Sequence, residues 1–130
     1  VSEEDLELVR RVYEKWARGD FSMGEFLHAD VEFEMVDWPE GSSARGINDM
    51  TRAWLGALSA WEDFRVEPRE FISAGRHLLV LNRINGRGRG SGIEMSADTA
   101  SLWTIEAGKV VRLALYWDVA KAFEAAGLER

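Results

Sequence analysis

The sequence predicts an α+β domain with helices laid on one face of an antiparallel sheet. Helical apolar spacing fills the first half, and alternating strand patterns fill the second. The order helix, helix, strand, helix and then four strands does not alternate as a parallel α/β chain would. With 130 residues, 46% hydrophobic and 30% charged, the chain has the balance of a folded unit and the length of one domain over residues 1–130.

Each element has its own signal. Ser2-Glu3-Glu4-Asp5 has the form of a capping box, and Leu6, Val9, Tyr13 and Trp16 follow at helical spacing until Gly19. A short second helix fits Met23 to Leu27. Val31, Phe33 and Met35 then alternate with Glu32 and Glu34, as in a strand with one wet face. Val36-Asp37-Trp38-Pro39-Glu40-Gly41 reads as a loop. After Gly46, the spacing of Ile47, Met50, Trp54, Leu58 and Trp61 predicts a third helix. Strands over 64–72 and 77–85 flank a turn at Gly75-Arg76, and strands over 91–105 and 110–117 flank Glu106-Ala107-Gly108-Lys109. Asp118 precedes a last short helix, Val119 to Ala126, closed by Gly127.

Both parities of the middle strands are apolar: Leu78, Val80 and Ile84 on one, Leu79 and Leu81 on the other. Helices cover one face, so the second predicts a partner, most economically a second copy of the chain.

Composition excludes several function classes. A net charge of −7 disfavours nucleic acid, because phosphates are repelled unless cations gather on one face. Gly86-Arg-Gly-Arg-Gly90 is short and lies between two strands, so it reads as a glycine-rich bend of the sheet. No cysteine is present, which removes disulfides, thiolate nucleophiles and cysteine-based zinc sites. His28 and His77 read as exposed turn residues, and no spacing supplies three metal ligands. No metal and no cofactor is expected. No apolar stretch approaches the ~20 residues of a membrane span, and the first residues are acidic, so the reading is cytoplasmic with no membrane partner. The unusual number is six tryptophans beside two tyrosines.

Several motifs together resemble a known family. Arg18-Gly19-Asp20-Phe21, Asp30-Val31-Glu32-Phe33, Arg45-Gly46, Gly108-Lys109-Val110-Val111, Gly90-Ser91-Gly92 and the tail from Ala122 to Leu128 resemble the SnoaL-like branch of the nuclear transport factor 2-like superfamily. The resemblance implies a cone: a strongly curved antiparallel sheet wrapped on three helices, a short C-terminal helix and an apolar pocket. It also implies a homodimer through the outer sheet face. Members include ketosteroid isomerases, polyketide cyclases, limonene epoxide hydrolases and dehydratases, so chemistry has to be argued from the site.

Asp37 is the first candidate. It falls, relative to Gly46, where the resemblance to ketosteroid isomerases puts a general base, and desolvation between Val36 and Trp38 would raise its basicity. The alternative is an Asx-turn before Pro39. The isomerases' tyrosine donor is absent from the aligned position, which holds Val12, with Tyr13 turned by about 100°. Their protonated aspartate is also missing, the aligned positions holding Ala100 or Ser101, with Asp98 nearby. A steroid isomerase is disfavoured, because enolate stabilisation loses its donors.

Arg83-Ile84-Asn85 is the second candidate. Limonene epoxide hydrolases carry acids where this chain has Asn85 and Leu115, so both proton-transfer groups of that reaction are lost. Arg83 could point inward to polarise a substrate, or outward to pair with Asp98. Asp118 reads as the cap of the last helix rather than a site residue. Tyr13, Trp16, Met35, Trp38, Trp54, Leu81, Trp103, Leu115 and Trp117 complete a candidate binding set with Asn85. If the family's parity holds, Val111, Leu113, Leu115 and Trp117 face the cavity, and indoles shape a flat apolar site.

The sequence therefore predicts a pocket for a hydrophobic polyketide, terpenoid or aromatic molecule. The leading reading is a cofactor-free isomerase, cyclase or hydrolase using Asp37, Arg83 and Asp98. The others are a non-catalytic ligand binder and a dimerising interaction module.

Overall fold

The structure is a computed structural model that describes residues 1–38 and 41–129. Helix α1 (Glu3–Ala17) starts at the expected capping box: Ser2 Oγ accepts from the Asp5 amide, and Asp5 accepts in return from the Ser2 amide. One face buries Leu8, Val9, Val12, Tyr13 and Trp16. Arg18 caps the helix, and Gly19, at φ +82°, turns the chain out of it in the left-handed region that favours glycine.

The second helix is one 3-10 turn, Gly24–Phe26, leading directly into strand β1 (Leu27–Met35). The predicted loop follows, with Pro39 and Glu40 outside the described residues. A short strand that the sequence reading lacked, β2 (Ser43–Arg45), then pairs with β1. Helix α2 (Ile47–Leu58) buries Met50, Trp54 and Leu58. It stops before Trp61, which continues the helical spacing but opens strand β3 (Trp61–Ala74). Strands β4 (His77–Gly88), β5 (Glu94–Glu106) and β6 (Lys109–Tyr116) complete the meander. Helix α3 (Val119–Ala125) is capped by Asp118, whose carboxylate accepts from the Ala120 amide.

The sheet order is β2-β1-β6-β5-β4-β3. It is mixed rather than antiparallel throughout, because β1 runs parallel to β6. The long crossover through α2 and the meander makes that pairing possible. Register shifts within β3 and between β5 and β6 bend the sheet.

The inner face packs on α1 and α2 in one core that takes Val31, Phe33, Val80, Ile84, Trp103, Leu113 and Leu115 from the strands. The shift at the β5–β6 pairing puts Val110 in this core, so Val111 does not follow the parity expected of it, while Leu113 and Leu115 do. The outer face carries Leu79, Ala100, Leu102, Ala114 and Tyr116, and α3 packs on it with Ala122 and Phe123. The expectation of a second copy on this face was argued from its lack of cover. The chain's own last helix packs on β4, β5 and β6 there and covers part of that face.

Candidate functional site

A cleft lies between the two long helices and the inner face. Tyr13 and Trp16 reach it from α1, Trp54 from α2 and Trp38 from the loop after β1. The sheet contributes Phe64, Val66, Asn82, Ile84, Thr99, Ala100, Ser101 and Leu115. Its volume is about 20 Å3, room for about one water molecule. The Trp16 ring packs 5.2 Å from that of Trp54 and 4.9 Å from that of Tyr13, which keeps the space narrow.

The polar groups of this cleft are unusual for a core. Asn82, Thr99 and Ser101 are buried, with Asn82 at 6% exposure. Ser101 Oγ is their hub: it shares a 2.7 Å hydrogen bond with the Tyr13 hydroxyl and accepts from Trp103 Nε1 at 2.9 Å and Asn82 Nδ2 at 3.4 Å. Burial pushes the Tyr13 phenol up to about 12, against the lowering effect of hydrogen bonds from Ser101, Trp103 and Asn82. It is a neutral hydroxyl across the physiological range. Among the described residues, three buried side-chain atoms have no partner: Trp16 Nε1, Trp38 Nε1 and Asn82 Oδ1. All three residues line the same cleft. A buried unsatisfied group costs about 1–3 kcal/mol, so this clustering is a departure from what stability alone would select.

A second hollow, of about 390 Å3, shares Trp38 with the cleft. Its walls are Trp38, Trp61, Trp117 and Arg52, and its floor is the small residues Ala53, Gly56, Ala57 and Ala60, with Ser42 at the edge. Trp38 meets Trp117 edge-on at 5.1 Å and 89°. Three tryptophans thus line the inner cleft, three line the outer hollow, and Trp38 belongs to both. Trp103 is fully buried and touches this chemistry through Ser101.

The sequence profile of the SnoaL-like domain matches residues 9–113. The chain belongs to the SnoaL-like family.

Solved structures carry the same fold. An NTF2-like protein of unknown function from Burkholderia pseudomallei superposes with a TM-score of 0.79 at 21% identity, covering 95% of this chain and 97% of that one. TerC, co-crystallised with polyporic acid, gives 0.75 at 20% identity, covering 96% and 99%. A protein with the ketosteroid isomerase-like fold from Catenulispora acidiphila, in complex with trimethylamine, gives 0.71 at 17% identity, covering 95% and 94%. No curated protein matches the sequence.

Within this SnoaL-like domain the expected site residues separate into groups. Tyr13, Trp16, Trp38, Trp54 and Leu115 line the cleft together. Met35 is buried in the core beside Gly41, where an added Cβ would meet the Met35 carbonyl oxygen at 2.8 Å. Asp37 does not line the cleft. Its carboxylate accepts from the amides of Trp117 at 2.6 Å and Asp118 at 2.9 Å, tying the loop after β1 to the start of α3. Arg83 and Asp98 face each other across β4 and β5 and form a 3.0 Å ion pair away from the cleft. Leu81 packs with the outer core, and the side-chain oxygen of Asn85 accepts from Ser96, so neither joins the cleft. His77 Nδ1 bonds Thr104 Oγ1, and among the described residues no group of three or more His, Asp or Glu is placed to hold a metal. No helix among them is long and apolar enough to cross a membrane.

Sequence reasoning did not select Asn82, Thr99 or Ser101 for the site. A signal existed: Asn82 sits between Val80 and Ile84 on the apolar parity of β4, where a polar side chain is out of pattern.

Proposed function

We propose that this SnoaL-like domain binds a mainly apolar small molecule whose polar oxygen enters the cleft and pairs with the Trp16 indole N–H and with Asn82 Oδ1. The observation that carries this reading is the set of three buried, unpartnered polar atoms on residues that line one small space. Two are donors and one is an acceptor, which suits a hydroxyl or an enol: its oxygen accepts from an indole and its proton goes to Asn82 Oδ1. Aromatic walls select a flat body. The structural neighbours crystallised with polyporic acid and with trimethylamine support a small-molecule site on this fold.

The binding reading stands ahead of the catalytic one because, among the described residues, no carboxylate and no cation lines the cleft. Proton abstraction there lacks its base, and the Asp37 oxygens are both engaged by backbone amides. One observation favours a cofactor-free isomerase or cyclase as the second reading. The Tyr13 hydroxyl stays neutral beside Ser101 and could donate to a carbonyl oxygen that gains negative charge.

Biphenyl-4-ol and biphenyl have one shape and differ by the oxygen. Fluorescence titration should find the phenol bound about ten-fold tighter, the worth of roughly one hydrogen bond. Asn82→Leu should reduce that preference while leaving Tm unchanged or higher, since it removes an unpaired acceptor. Equal affinity of the two probes for the unaltered protein would sink the reading.

A further inference from the structure

The cleft and the outer hollow share Trp38, and neither alone makes a ligand site. The inner space is lined by the residues that carry the unpartnered polar atoms but holds only about 20 Å3; the outer has about 390 Å3, within the ~300–1,000 Å3 of small-molecule sites, and sets Ser42 and Arg52 beside its tryptophans and small-residue floor. Among the described residues, Trp38 is the one that lines both.

Resting on the binding reading above, we propose that the two hollows are halves of one site, joined when the Trp38 indole turns aside. The occupant is a single elongated aromatic molecule, with its oxygen in the cleft and its apolar body against Trp61, Trp117 and the α2 floor.

The restraints on Trp38 support this division of labour. Its backbone is pinned on both sides: Asp37 is held by two amides at the start of α3, and the Trp38 carbonyl accepts from the Gly41 amide at 3.0 Å. Its indole is held only by packing, because Nε1 has no hydrogen-bond partner. Trp54 and Trp103 differ, each being anchored through Nε1, to the Phe21 carbonyl and to Ser101. A pinned backbone with an unanchored ring favours side-chain rotation over lifting of the loop. Turning the ring costs its edge-on contact with Trp117, and a ligand ring against Trp117 restores one of the same kind.

Gly56 offers a test that spares the cleft. It is exposed on α2, and a Cβ added there meets nothing within 4 Å. Gly56→Leu therefore narrows the outer hollow, and it raises helix propensity, so the variant should fold. It is expected to weaken biphenyl-4-ol about ten-fold, while Trp38→Ala should speed its association about ten-fold in stopped-flow fluorescence. If Gly56→Leu leaves affinity unchanged while Asn82→Leu still removes the oxygen preference, the ligand sits in the cleft alone. The joined site is then overturned and the binding reading survives. If Gly56→Leu weakens binding but Asn82→Leu changes nothing, the ligand occupies only the outer hollow and both fall. Association no faster in Trp38→Ala would overturn the partition by Trp38.

Discussion

The two faces of the sheet solve the same problem differently. On the outer face, Leu79, Ala100, Leu102 and Ala114 form a surface of modest side chains that a seven-residue helix partly covers with Ala122 and Phe123. Its charged margin is paired, as in Arg83 with Asp98. On the inner face, large rings crowd around Asn82, Thr99 and Ser101, and Trp16, Trp38 and Asn82 each keep a buried polar atom without a partner. One face is built for cohesion; the other holds local conflict, and such conflict in a folded protein points to function.

The largest test of this contrast is Phe123→Ala. The side chain is 8% exposed and forms much of that cover on the outer face. Its loss should cost about 3 kcal/mol, lowering Tm by roughly 10 °C for a chain of this size. Probe affinity of the protein that remains folded should not change. A matching loss of affinity would show that the faces are coupled rather than divided.

The two tyrosines sharpen the same contrast through pH. Burial raises the Tyr13 phenol from 10.0 to about 12, with the neutral form favoured in the fold. Above pH 10 the unfolded chain releases this proton while the folded one keeps it. Stability from Tyr13 is therefore complete below pH 10 and lost as pH rises through 10 to about 12. The loss amounts to about 2–3 kcal/mol. Tyr116, on the outer face, is raised by desolvation and by Glu34 and Asp37, against the lowering effect of Arg112. Denaturant melts across this range should lose most of their alkaline slope in Tyr13→Phe and less in Tyr116→Phe. The reverse order would overturn the ranking of the two environments.

The fold was legible because its signals are local. Ser2 and Asp5, Asp118 before the last helix, and the glycine turns at 75 and 108 announce themselves within a few residues. The parallel pairing of β1 with β6 was not legible, since no short-range pattern records which strands meet after a crossover of some seventy residues. The aromatic half of the cleft was visible in helical spacing, through Tyr13, Trp16 and Trp54. Its polar half was overlooked because Asn82 and Ser101 carry no charge. Arg83 and Asp98 drew attention by being charged, yet their strand positions turn them away. The last helix was legible from Asp118 and Gly127, but nothing in its seven residues records which face of the sheet Ala122 and Phe123 pack on.

That last pair of charged residues gives the smallest expected effect and a direct test of the outer face as scaffold. Arg83 and Asp98 are opposite one another on neighbouring strands, and their side chains are 37% and 72% exposed. Water and salt screen such a pair, and holding two side chains in one geometry opposes the Coulomb gain. Arg83→Ala should therefore change stability by less than about 0.5 kcal/mol and leave biphenyl-4-ol affinity unchanged in the titration used for Asn82→Leu. An inward arginine would behave otherwise: removing a cation that contacts the ligand oxygen would weaken the phenol and spare biphenyl. Oxygen-selective loss in Arg83→Ala would bring Arg83 back into the site and move the polar end of the ligand across the sheet. Its absence, beside oxygen-selective loss in Asn82→Leu, would place recognition on the face where the unpaired atoms are.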